Sequence, residues 1–417
     1  MRRRTHSWSA PLAVVVAAIS AISLTADTLA MGGKPVHGVP AVRAVERRLA
    51  VGSGPEAIVV GVLRNISENR IAAAREQLDH LLEVNPNFRL AQLIKGDLLM
   101  ARVGPVGTLG SLPDAPADRL SDLRDEARAR IQRQQARIPD GRVPANLLRL
   151  SPDQKYAVVV DTNRSTLFLF ENQAGAPRYV ADYYITIGRN GVEKSREGDK
   201  RTPVGVYHVT ANLPREKLTD FYGSGAFPLS YPNEWDRRNG RDGHGIWLHG
   251  TPPDTYSRPP RASDGCVVLT NQDLESIGSR LQPGVTPVVI SNDLEWVGNT
   301  ELERTRADLE TAIERWREDW ESRRTDEYLS HYARSFSSGS AGLEQWAAQK
   351  RQVNASKQWV KVKLADMSLF LYPGREPVAV ATFVQDYRSN NLSNLMKKRI
   401  YWIREGERWK IIHEGAA

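Results

Sequence analysis

Apolar positions along the chain follow helical spacing first, then strand-like runs, then helical and strand-like patterns again. Ile71, Ala74, Leu78, Leu81 and Leu82 recur at helical spacing and predict a helix. Asn85-Pro86-Asn87 breaks it, and Leu90, Leu93, Ile94, Leu98 and Leu99 predict a second helix behind the break. "RLSDLRDEARARIQRQQARI" predicts a further, highly charged helix. From Lys155 the pattern becomes that of strands. "YAVVVDTNRSTLFLF" is two strands around a polar turn, "RYVADYYITIG" and "GVYHVT" are further strands, "GIWLHG" is a short one, and "GVTPVVIS" closes the series. From about residue 299 a helical stripe of Leu302, Leu309, Ile313, Trp316 and Trp320 appears. Helical "DEYLSHYA" and "GLEQWAAQKRQV" come next, then a meander of long strands from "WVKVKLADMSLFLYPG" to "RWKIIHEG", an α+β plan. The predicted organisation is multi-domain. It has a helical region over 40–140 whose hairpin is tetratricopeptide-like (TPR-like), a mostly-β unit over 155–292, and an α+β unit over 299–417.

The N-terminus changes the picture of where the chain works. Arg2, Arg3 and Arg4 precede the apolar run "PLAVVVAAISAISL", and small residues follow at Thr28 and Ala30. This is the order of a secretory signal, here over 1–30, and the run is shorter than the roughly 20 residues of a membrane span. An uncleaved segment would instead give weak membrane association. The expected location is the periplasm. A length of 417 residues fits about two to four domains, and 41% hydrophobic against 25% charged residues indicates a globular chain. A formal net charge of +8 favours anionic partners. No zinc-finger spacing or basic-aromatic alternation points to nucleic acid, and the eight histidines have no metal-ligand spacing. No metal and no cofactor is therefore expected. A homodimer remains open.

Export gives weight to Cys266, the chain's only cysteine, because it cannot form an internal disulfide. In the strand Gly245–His249, Ile246 and Leu248 share one face, and Trp247 and His249 share the other. Sixteen residues separate His249 from Cys266, enough for a loop that returns the cysteine beside the histidine. A cysteine and a histidine far apart in sequence but adjacent in space form a nucleophile–base pair. Gly265 permits a tight turn, and the amides of Gly265 and Cys266 could face an oxyanion. Thr270 and Asp273 have capping-box spacing for a helix beginning there. A buried, inert cysteine beside valines is the alternative.

"LHG", the intervening loop and "SDGCVVLTN" resemble the L,D-transpeptidase catalytic domain of the YkuD type, at His249, Gly250, Ser263, Gly265, Cys266 and Asn271. "GDKRTPVGVYHV" resembles the same family's Thr-Pro-x-Gly segment, at Thr202, Pro203 and Gly205. The resemblance implies a mostly-β fold and a cysteine acyl-enzyme acting on peptidoglycan stem peptides. Cys266 would attack the carbonyl of the diamino acid and expel D-alanine. His249 would serve as base and then acid, and the Gly250 carbonyl would fix its tautomer. An amine acceptor gives a cross-link, and water gives L,D-carboxypeptidase trimming. Ser263, Arg261 and Trp247 are the candidate substrate contacts. "FVQDYRS" and "RWKIIHE" resemble the NTF2-like (SnoaL-type) domain, and the whole arrangement is similar to cell-shape L,D-carboxypeptidases. Two departures stand out: Asp264 replaces the family's usual His, and Val268 replaces an Arg. A carboxylate at 264 would raise the thiol pKa unless it points away or is paired, with Arg258 or Arg261. Both departures leave room for a catalytically degenerate cell-wall-binding scaffold.

Overall fold

The computed structural model describes residues 54–111, 116–135, 138, 140–339 and 341–417, so the expected signal over 1–30 lies outside the described residues. Four helices open the described chain: Pro55–Ser67, Ile71–Val84, Arg89–Met100 and Ala117–Gln135. The first begins on a proline, which needs no N–H partner there, and it buries Val59, Val60 and Val62. Its core contacts are Leu78, Leu81, Leu90 and Ile94 of the next two helices, together with Phe88. Leu99, expected on the stripe, is 48% exposed. The buried row runs through Leu90, Ile94 and Leu98 at four-residue steps, and Leu99 falls one position around the helix from it.

The middle of the chain forms two sheets over one core. The larger has the order Ala176–Tyr184, Thr166–Gln173, Tyr156–Asp161, Pro287–Ser291, Gly205–His208. Pro287–Ser291 runs parallel to Tyr156–Asp161 and antiparallel to Gly205–His208. The smaller has the order Val267–Val268, Trp247–His249, Gly225–Pro228, Leu213–Pro214. Val158, Val160, Leu167 and Leu169 face the smaller sheet's core residues Leu248, Val267 and Phe227. Ala157, Val159, Phe168 and Phe170 face the opposite way. Burial on both faces is why "YAVVV" is continuously apolar instead of alternating.

That second face is covered by the C-terminal sheet, through Phe370, Tyr372, Val380 and Tyr401. The C-terminal strands Val360–Leu371, Val378–Ser389, Ser393–Glu405 and Arg408–Ala416 pair antiparallel in sequence order. Helix Asn299–Glu321 lays Leu302, Leu309, Ile313, Trp316 and Trp320 into their core. Two short strands lie before Lys155, between the predicted helical region and the predicted mostly-β unit. Leu147–Arg149 forms the edge of the C-terminal sheet against Val360–Leu371, and Arg142–Pro144 pairs with Trp296–Gly298. Among the described residues no helix is long and apolar enough to cross a membrane.

Candidate active site

The strand Trp247–His249 and the two-residue strand Val267–Val268 run parallel, with Leu248 opposite Val267 and His249 opposite Val268. Leu248 and Val267 are in the core, which fixes the register, so Cys266 immediately precedes the strand beside the imidazole's own. The turn before Cys266 is tightly specified. Gly265 has φ +124°, and a Cβ there would come 2.7 Å from the Arg201 carbonyl oxygen. Ser263 Oγ donates to the Cys266 carbonyl at 2.6 Å and accepts from Gly265 N–H at 3.2 Å. Buried Thr202, from the Thr-Pro-x-Gly segment, donates from Oγ1 to the Gly265 carbonyl at 2.9 Å and accepts from Gly188 N–H at 2.9 Å. Of the two amides expected to face an oxyanion, Gly265's is therefore occupied by Ser263. The Cys266 amide donates to no group among the described residues.

The loop after His249 is fixed by Asn271. Its Oδ1 accepts from Ser224 N–H at 2.9 Å and Thr251 N–H at 3.1 Å, and its Nδ2 donates to the Thr251 carbonyl at 2.9 Å. A Cβ on Gly250 would overlap Asn271 Oδ1, so the position directly after the histidine admits only glycine. Asn271 opens helix Asn271–Gly278, whose N-cap Thr270 accepts from Asp273 N–H at 3.1 Å. His249 is 1% exposed, and its Nδ1 is 2.7 Å from the Gly250 carbonyl oxygen. Donation from Nδ1–H to that carbonyl leaves Nε2 as the free acceptor. Phe221 and Tyr222 pack on the imidazole at 5.7 and 5.2 Å between ring centroids, and Trp247 lies 4.7 Å from Tyr222.

Burial sets the protonation states. It pulls the His249 imidazole down to about 4, with nearby Arg258 acting the same way and the Gly250 bond opposing. Burial also pushes the Cys266 thiol up to about 11, with a push from Asp264 and opposing pulls from Arg258 and Lys194. Cys266 Sγ donates to the Gly245 carbonyl at 3.3 Å. Both groups are thus neutral at rest, on adjacent strands, with the sulfur bonded to the Gly245 carbonyl and not to the ring. Stability follows the same sign. The folded imidazole titrates near 4 and the free one near 6.5, so the unfolded chain binds more protons in that window. Falling pH between those values therefore destabilises the fold, by up to about 3 kcal/mol.

Asp264 is exposed and pairs with Arg189 at 3.1 Å, not with either arginine expected from sequence. Arg261 is exposed on a short strand, Arg261–Ser263, paired parallel with Ile187–Gly188. Trp247 is half-buried. Sequence reasoning passes over Phe221 and Tyr222, whose signal is an aromatic pair before Gly223, and over Glu126 and Arg130, spaced four apart in a helix that reads as solvated. Arg130 is buried, paired with Glu56 and, at 2.8 Å, with Glu126. Ser257 Oγ, from the loop between His249 and Cys266, donates to Glu126 at 2.7 Å. Asn87 Nδ2 donates to the Pro253 carbonyl at 3.1 Å, and Phe88 packs 4.5 Å from Tyr256. The N-terminal helices therefore hold the loop that joins the two candidate catalytic residues. Among the described residues no cluster of histidine, cysteine and carboxylate side chains could hold a metal ion.

Residues 155–290 match the L,D-transpeptidase catalytic domain family (YkuD), and residues 308–415 match the Cds6 C-terminal NTF2-like domain. The putative L,D-transpeptidase YafK of Escherichia coli (strain K12) is 31% identical over 84 residues, 20% of this chain and 29% of that protein. The chain thus spans under a third of that curated relative. The structure of Bdellovibrio bacteriovorus Bd1075 is 28% identical, covers 66% of this chain and 98% of its own, and superposes with a TM-score of 0.59. The helical cell shape determining protein Pgp2 of Campylobacter jejuni is 25% identical over 69% of this chain and 99% of its own, with a TM-score of 0.57. The first match covers the Cys266 turn and the His249 strand, and the second covers the C-terminal sheet: the chain joins a YkuD-type L,D-transpeptidase catalytic domain to a C-terminal NTF2-like domain.

Proposed function

We propose that the chain is an exported, periplasmic cysteine enzyme of the L,D-transpeptidase type, acting on peptidoglycan stem peptides. The observation that carries this reading is the turn that sets Cys266 beside the strand of a buried His249 whose Nδ1 is bonded to the Gly250 carbonyl. As Sγ attacks the carbonyl of the diamino acid, His249 Nε2 takes the thiol proton. The Cys266 N–H, which has no acceptor among the described residues, would serve the developing oxyanion. Collapse of the intermediate breaks the peptide bond to D-alanine. The imidazolium returns its proton to the leaving amine, and a thioester is left on Cys266. An amine acceptor then yields a cross-link, and water yields a tripeptide. Similarity to a helical cell shape determining protein favours water, hence L,D-carboxypeptidase trimming in a cell-shape role. On this reading the TPR-like helices serve as a module that braces the site. Asp264 supports the alternative of a degenerate scaffold, because its charge pushes the thiol up, although Arg189 partly neutralises it.

Incubation with disaccharide-tetrapeptide is expected to release D-alanine and leave the tripeptide. Cross-linked dimers would identify an amine acceptor, and no product at all would leave the scaffold. The pH profile tests the base. With the imidazole near 4, the acidic limb of kcat/KM is expected at about pH 4–5, because neutral His249 persists down to that point. A limb at about 6.5 or above would mean that the histidine is not buried as described, or that it is not the base.

A further inference from the structure

Arg258 is a half-buried cation that forms no ion pair among the described residues. Its backbone is held: the Arg258 carbonyl accepts from Tyr184 Oη at 3.0 Å and from Thr186 Oγ1 at 3.0 Å. The preceding residue, Ser257, is bonded to Glu126. Its guanidinium lies over the Phe221 ring, with Cζ 4.9 Å from the centroid, and that same ring packs against His249. The charge is close enough to pull down both the imidazole and the thiol, and the thiol and Asp264 act back on it.

Several other cations of the same unit are paired. Arg189 pairs with Asp264 at 3.1 Å, and Lys194 pairs with Asp199 at 2.9 Å. Arg241 pairs with Asp236 at 3.2 Å. Among the described residues no carboxylate lies within ion-pair distance of Arg258, and its side-chain N–H groups find no acceptor. Burying an unpaired charge is costly, and burial accordingly pulls the Arg258 pKa below its ordinary value. A guanidinium held by its backbone, stacked on an aromatic and left with a free fork of donors is suited to a planar carboxylate. Arg261, by contrast, is exposed.

We propose that Arg258 is a substrate-binding residue that docks a stem-peptide carboxylate next to the scissile bond. This rests on the enzymatic reading above. Two groups offer that chemistry: the free C-terminal carboxylate of the leaving D-alanine, and the side-chain carboxylate of the diamino acid. The first makes the site an exopeptidase by electrostatics, since a stem extended or blocked at its end presents no charge there. The second makes the site selective for an unamidated diamino acid.

The test compares three substrates on the full chain: the tetrapeptide, its C-terminal amide, and the tetrapeptide with the diamino acid's side-chain carboxylate amidated. Each is assayed with the wild type, Arg258→Gln and Arg258→Lys. Arg258→Gln is expected to lower kcat/KM on the tetrapeptide about 10–100-fold, mainly through KM. The wild type should lose a similar factor on one of the two amides, and Arg258→Gln should lose little more on that same amide. Which amide behaves so identifies the carboxylate. Arg258→Lys should recover part of the loss, because it keeps the charge without the fork. An unchanged thermal transition in both variants separates this effect from misfolding. Equal losses for Arg258→Gln on all three substrates, or an unchanged KM, would overturn the role of Arg258 while leaving the enzyme reading intact. No turnover of the tetrapeptide by the wild type would overturn both.

Discussion

Cys266→Ala is expected to cut D-alanine release from disaccharide-tetrapeptide by about 10⁴-fold or more, the scale seen when a nucleophile is removed. The chain should still fold. The residue as a whole is half-buried, and its sulfur is bonded to backbone groups alone, the Gly245 carbonyl and the Trp247 amide. The elements that build the turn do not involve sulfur: Ser263 and Thr202 bond backbone groups of Gly265 and Cys266, and Val267 and Leu269 anchor the strand in the core. A thermal transition displaced by no more than about 1 kcal/mol of stability is therefore expected beside the lost activity. His249→Ala should lose nearly as much, since it removes the base that the proposed mechanism uses. Retention of activity within about tenfold in Cys266→Ala would remove the covalent route, because no second cysteine exists to replace it.

Arg130→Ala is expected to destabilise the packing of the N-terminal helices by about 3–5 kcal/mol. Arg130 is buried among Glu56, Glu126, the Phe88 ring at 5.1 Å and the Tyr184 ring at 4.0 Å. Burial opposes its charge, yet the two carboxylates more than offset this and hold its pKa above the ordinary range. Alanine would leave Glu126, itself 1% exposed, with a buried negative charge and Ser257 as its main donor. Tyr184, which packs on Arg130, also anchors the Arg258 carbonyl, so the damage should reach the His249–Cys266 loop as a lower kcat/KM. Hydrogen exchange over 54–135 and a denaturation curve read the first effect, and the muropeptide assay reads the second. Arg130→Met combined with Glu56→Gln and Glu126→Gln removes the charges together and should recover most of the stability. A wild-type denaturation curve for Arg130→Ala would mean that the cluster does not hold the helices in place.

The strand that carries His249 is legible in sequence because it is a short apolar run bounded by glycines, whereas the two-residue strand after Cys266 is too short to show a pattern. The C-terminal helix is legible for a similar reason: Leu302, Leu309, Ile313, Trp316 and Trp320 make a single stripe, and all five are buried. What surrounds the candidate pair is less legible. Phe221 and Tyr222 sit in a three-residue 3-10 turn, Asp220–Tyr222, and Arg258 in a loop, with no periodicity to mark them, and they meet only through tertiary folding. Glu126 and Arg130 stand in one of the most polar helices of the chain and look like a solvated pair at four-residue spacing. Only the presence of Tyr184, Phe88 and Ser257 on the other side shows that they are enclosed. The strand Leu147–Arg149 is three residues long, and its partner lies more than 200 residues further along, so neither length nor local pattern reveals it.

That small strand means that the polypeptide passes through the C-terminal sheet before it builds the catalytic unit and returns to it afterwards, with Arg142–Pro144 and Trp296–Gly298 zipped together at the crossing. Topologically, the unit that matches the YkuD family is cargo mounted on the other domain, with its inbound and outbound lanes side by side. A gene fragment cut between the two family matches would sever that mounting. It would strip an edge from one half and bare the Phe168 and Phe170 face of the other. Recombination that exchanges either half should succeed only if residues 142–150 travel with the C-terminal sheet.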